Sequence, residues 1–178
     1  QMSKNPRLDF DEPNVWRARP HRELDASNDK IEKITGQKLM DLDSKDCPEG
    51  FWPIYKGESF DLWQPDIGKG SYYAWGNPKV LKPRIQEKRV NAMNMSSSVF
   101  NECDSEWSEN IDTLPCLSPR LAFRDSAQAT DSRTMRCALV PPKVFIANQA
   151  PYFVFPRGSK KDVTYLLGIL SSIPLDWY

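Results

Sequence analysis

The stretch from Arg120 to Pro142, "RLAFRDSAQATDSRTMRCALVPP", sets four arginines and two aspartates on a framework that alternates like sheet. In "RLAFR", Leu121 and Phe123 project to one side and Arg120, Ala122 and Arg124 to the other, because successive strand side chains point to opposite faces. "RTMRCALV" repeats the pattern, with Met135, Cys137 and Leu139 opposed to Thr134, Arg136 and Ala138. Thr130 and Asp131 fall in the polar segment between the two runs. An Asx-type hydrogen bond from Asp131 would shape that turn and hold Arg133. The expectation is a strand pair with a basic face.

Outward from this pair, "KVFIANQAPYFVFP" supplies one or two more strands, broken near Asn148–Pro151. "DVTYLLGILSSIPLDWY" is apolar on more than one side and reads as a helix with Asp162 as N-cap, packed deeply or against another domain. Upstream, "FWPIYKGESFDLWQP" reads as a hairpin that turns at Lys56-Gly57 and returns through Phe60, Leu62 and Trp63. "GSYYAW" is a short aromatic strand, and residues 79–98 are expected to be helical after Pro83. Residues 101–118 are acidic and read as a surface excursion. A helix through Ile31, Ile34 and Leu39, capped by Ser27 or Asn28, is weakened by Gly36. Strands separated by long loops, with a few helices, predict an α+β fold: a twisted, mostly antiparallel sheet with flanking helices.

Length and composition fit one domain. The 178 residues include six Trp, six Tyr and eight Phe, enough for a packed core, and 15 Pro, which implies many loops. No run approaches the ~18 apolar residues of a membrane span, and the first ten residues lack a signal-peptide apolar region. A soluble, cytoplasmic protein is expected. Residues 1–20 read as a polar, Pro-broken linker or arm and 21–178 as the domain proper, within a longer chain. The four cysteines are irregularly spaced and His21 is the lone histidine, so no metal site is expected and His21 reads as solvated or loosely packed.

The formal net charge is zero, but it is unevenly distributed. Residues 119–178 hold 8 basic against 4 acidic side chains, while residues 1–118 hold 16 against 20. A second basic cluster, Lys79, Lys82, Arg84, Lys88 and Arg89, is opposed by Glu87 alone. Local basic patches on a neutral chain suit a selective anion-facing surface. Catalytic patterns are missing: there is no GxSxG, no phosphate-binding glycine loop, no credible Cys–His pair, and no carboxylate–lysine set for a metal nuclease. Guanidiniums on a strand face hold phosphates or read a guanine edge bidentately. Asn148, Gln149 and Gln128 are candidates to read adenine, and Trp63, Tyr72, Tyr73 and Trp75 to stack or support. On composition alone, arginines paired with Asp125 and Asp131 over an aromatic core are the favoured reading.

The run from Ser118 to Phe153, followed by "YLLGILSSIPLDWY", resembles the C-terminal part of adenine-specific DNA methyltransferases of the restriction-modification and BREX (PglX-like) class. There it belongs to a TaqI-like target-recognition domain. "FWPIYKGESFDLWQPD" and "SYYAWGNPKVLKPRIQEKR" are similar to the upstream part of that domain, and "RELDASNDK" to the link entering it. The resemblance spans roughly residues 16–178. It implies a domain that binds double-stranded DNA, reads bases mainly through the major groove and positions an adenine for the methyltransferase domain of the same chain. It implies no catalytic residue and no cofactor here, because S-adenosylmethionine belongs to the separate catalytic domain. On this reading Arg120, Arg124, Arg133 and Arg136 line the DNA-facing side, with Lys56, Lys82, Arg84 and Lys143 as outer phosphate contacts. A protein-interaction module docking a methylase or nuclease subunit is the other reading, supported by the apolar closing helix.

Overall fold

The computed structural model describes residues 18–26, 38–127, 131–155 and 158–176. Among the described residues, eight short strands and four α-helices follow one another as β1 (Arg19–His21), β2 (Met40–Asp41), β3 (Trp52–Tyr55), β4 (Ala74–Gly76), α1 (Pro78–Met93), α2 (Ser105–Glu109), β5 (Arg120–Phe123), β6 (Cys137–Val140), β7 (Phe145–Ile146), β8 (Tyr152–Val154), α3 (Lys160–Leu170) and α4 (Ile173–Asp176). The class is α+β. The strands divide between two four-stranded sheets, ordered β1-β8-β5-β6 and β2-β4-β3-β7. All pairs are antiparallel except β3 with β7.

The Arg120–Pro142 strand pair forms as expected, with Arg120 opposite Val140 and Phe123 opposite Cys137. Its two faces meet different surroundings. Leu121 and Cys137 pack under Leu167 and Leu170 of α3. On the other face, Ala122 and Ala138 pack with Tyr55, Phe60, Ile146 and Tyr152 in a core between the sheets. Two alanines in register leave room for the second sheet to approach. The expected basic face is therefore interior along most of its length, and only the far end of the hairpin reaches solvent.

Several expectations for the upstream half are corrected. Strand β3 does not return as a hairpin through Phe60 to Trp63. Its antiparallel partner is β4, and residues 56–73 form a long connection between them. Helix α1 begins at Pro78, capped by the Asn77 side chain, which accepts from the Lys79 amide, and it continues straight through Pro83. Pro83 is exposed, and the helix is held by its buried residues Leu81, Ile85 and Arg89. Packing thus outweighs the ~3 kcal/mol that an interior proline costs. Leu39 leads into β2 rather than a helix, and Ile31 and Ile34 lie outside the described residues.

The acidic excursion is more deeply anchored than its composition suggests. Arg89 is 2% exposed and donates to the carbonyls of Asn110 (2.6 Å) and Thr113 (3.2 Å) and to Gln86 Oε1 (2.5 Å). Its guanidinium lies 4.9 Å from the Trp107 ring centroid. Leu114 and Cys116 then enter the core that α1 forms over the second sheet, with Ile54, Leu81 and Phe145. At α3 the N-cap is Ser159, and Asp162 completes a capping box from the third helical position. No helix among the described residues is long and apolar enough to cross a membrane.

Candidate nucleic-acid interface

Arg120 was expected on the DNA-facing side, and its placement corrects that expectation. The residue is 4% exposed and its guanidinium meets Glu23, also buried, at 2.7 Å. It also donates to the Val144 carbonyl at 2.6 Å and lies 4.8 Å from the Tyr152 ring centroid. Glu23 in turn accepts from the Ile146 amide at 2.9 Å. The pair therefore joins β5 of one sheet to β7 of the other. Burial pushes the Glu23 carboxyl upward, and Arg120 and the Ile146 N–H pull it back. Such a buried, doubly bonded pair is a brace.

At the solvent end of the same hairpin the structure gathers basic side chains from distant segments. Asp131 accepts from Arg136 at 3.0 Å and lies 3.9 Å from the Arg124 guanidinium. Arg136 also reaches Asp61 at 3.1 Å, and Arg124 Nε donates to the Gly57 carbonyl at 2.9 Å. Lys56, next to Gly57, pairs with the exposed Glu58 at 2.6 Å, which holds the Glu58 carboxyl below its ordinary range. Arg22 arrives from 103 residues away to meet Asp125 at 2.8 Å. Lys56, Arg124 and Arg136 are thus brought together, and Arg22 joins them without any local sequence signal. Each has an acidic partner, so the patch is preorganised and close to neutral. Gly57 is tightly enclosed: a Cβ there would fall 2.9 Å from Arg124 Cγ.

The remaining predicted contacts lie elsewhere. Arg133 donates to the carbonyls of Ser171 and Ser172 after α3. Asp131 is engaged with Arg136, and Thr130 lies outside the described residues. Lys82 and Arg84 are on α1, with the Lys82 ammonium 6.0 Å from the Trp52 ring centroid. Lys143 is exposed between β6 and β7, at φ 61°, with its amide bonded to the Cys116 carbonyl.

Among the aromatics, Tyr72 stacks on Tyr55 and bonds Asp66, Tyr73 donates to the Ala26 carbonyl, and Trp75 is buried with its indole N–H on the Ser44 carbonyl. These support the fold. Trp63 differs from them: it is 66% exposed, at φ 60°, in a turn closed by reciprocal 2.9 Å bonds between Asp61 and Gln64. A bulky side chain in the left-handed region costs about 1–2 kcal/mol. Leu62, its neighbour, packs against the buried cluster of Leu121, Cys137, Leu167 and Leu170. Asp61 is the carboxylate that Arg136 holds, so the arginine frame also fixes the base of this turn.

Asn148 lines a cleft of about 330 Å³ with His21, Arg89 and Phe100. Gln149 is exposed, and Gln128 lies outside the described residues. His21 is not solvated: its ring meets Phe100 and Tyr152 edge-on, and burial, with Arg120 and Lys88 nearby, lowers its pKa to about 4. The four cysteines are free, and burial pushes the Cys116 thiol up to about 12. No cluster of three His, Cys, Asp or Glu side chains suited to a metal occurs among the described residues. No family model matches the chain, and neither does any curated protein.

Proposed function

We propose that the chain is the duplex-DNA recognition domain of an adenine-specific DNA methyltransferase of the restriction-modification type. It acts in the prokaryotic cytoplasm and presents a target adenine to a separate catalytic domain that holds S-adenosylmethionine. The observation that carries this reading is the convergence of Arg22, Lys56, Arg124 and Arg136 at one end of the β5–β6 hairpin. Their acidic partners do not argue against phosphate binding. The Lys56–Glu58 and Arg22–Asp125 pairs are at the surface, where such bridges contribute about 0–1 kcal/mol. A phosphate therefore displaces those carboxylates at small cost, while Asp131 keeps the two inner guanidiniums oriented.

The test is fluorescence anisotropy of the whole chain with labelled duplex DNA across a salt series. Binding is expected to weaken linearly on a log–log salt plot. Lys56→Gln should weaken binding to all sequences alike and reduce the slope by about one unit. A folded protein that binds no duplex at low salt would refute the proposal.

A second reading rests on the outer face of α3 and α4. Tyr165, Ile169, Ile173 and Leu175 are all exposed there, forming an apolar strip of the kind that docks a protein partner. Under that reading Ile173→Asp abolishes association with a methylase or nuclease subunit and leaves DNA binding untouched.

A further inference from the structure

We propose that Trp63 stacks on an unpaired base of bound DNA, an inference that rests on the DNA reading above. Three observations carry it. First, the turn spends backbone strain on this side chain. Its reciprocal Asp61–Gln64 bonds and the positive φ at the third residue describe a turn in which glycine or asparagine is the ordinary occupant. Strain held by its surroundings at an exposed position is a signature of functional sites. Second, the mount is rigid. Leu62 packs against the buried cluster of Leu121, Cys137, Leu167 and Leu170, and Asp61 is tied through Arg136 and Asp131 to the hairpin. Third, the exposed indole follows two residues after Asp61, the carboxylate held by Arg136, which shares Asp131 with Arg124 of the basic patch.

The chemistry selects the partner. Indole offers a single N–H donor and a broad π-face, so it is a poor reader of base edges and a good stacking surface. Base faces are covered in an intact duplex and exposed where a nucleotide has left the stack. An enzyme that extrudes its target base creates such a face. Trp63 then occupies the gap or covers a neighbouring base, and the surrounding cations hold the adjacent phosphates.

The experiment compares two labelled duplexes identical except that one carries a single bulged 2-aminopurine. Anisotropy reports binding, and 2-aminopurine fluorescence reports stacking. The whole chain is expected to bind the bulged duplex about tenfold more tightly than the paired one, consistent with the stacking energy of one base on one aromatic ring. Trp63→Gly suits the backbone of the turn and removes the ring. It is expected to erase that preference and the fluorescence change, with unaltered affinity for the paired duplex and a melting temperature no lower than that of the unsubstituted chain. Retained preference in Trp63→Gly, or equal weakening on both duplexes, overturns the stacking role while leaving the DNA reading intact. Failure of the parent chain to bind either duplex overturns both.

Discussion

Replacing Arg120 with methionine separates the brace found in the structure from the DNA contact its sequence position suggested. Methionine keeps the length and apolar stem but removes the cation. Glu23 then retains the Ile146 N–H bond and loses the guanidinium, while the Val144 carbonyl loses a donor. Both partners are almost wholly shielded, with side chains 3% and 0% exposed, so water cannot take over. Breaking a buried pair from one side costs about 3–5 kcal/mol. In a chain of this size each kcal/mol lowers Tm by roughly 2–4 °C, so the drop is roughly 6–20 °C. Glu23→Gln with Arg120→Met removes both charges and should restore at least half of that loss. Thermal and urea unfolding of the two singles and the double give the coupling directly. A loss in Arg120→Met below about 1 kcal/mol, or lost DNA binding at unchanged Tm, would refute the brace.

Other consequences are equally direct. His21 keeps its folded pKa near 4, below the ordinary 6.5, so the unfolded chain takes up its proton first as pH falls. Stability fully present above pH 6.5 is therefore lost between there and pH 4, up to about 3 kcal/mol, and His21→Asn should flatten that part of the urea-midpoint profile. At Gly76 a Cβ would sit 2.6 Å from Leu81 Cδ1 and 2.9 Å from Phe145 Cδ2, so Gly76→Ala should lose about 1–3 kcal/mol in chemical denaturation. Pro83→Ala restores a helix hydrogen bond on an exposed face and should raise stability by about 1–2 kcal/mol, read as a higher Tm.

The strand pair was readable because alternation is local: Leu121, Phe123, Met135 and Cys137 mark one face without any other residue. What covers the opposite face was not readable. Arg120 looks like surface charge until Glu23, 97 positions away, is placed beside it. The same holds for Arg22 and Asp125, which makes the candidate patch a product of tertiary folding. The hairpin expected around Lys56-Gly57 failed because Phe60 and Trp63 satisfy a strand pattern that β4 outcompetes for pairing with β3. Pro83 reads locally as a helix start, whereas the helix begins five residues earlier, at Pro78 after the Asn77 cap. Trp63 was visible as an aromatic, but its backbone geometry leaves no mark in the residue types around it.

The pairing of β1 with β8 bears on how the chain is made. Residues 19–21 leave the ribosome about 130 residues ahead of their register partners, residues 152–154. Closing so long a loop makes the first sheet slow to complete. Until residue 120 emerges, Glu23 also has no cation to enter the core with. Between those points the nascent chain carries an unpaired edge and an unneutralised carboxylate, an interval in which a holding chaperone has the most to bind.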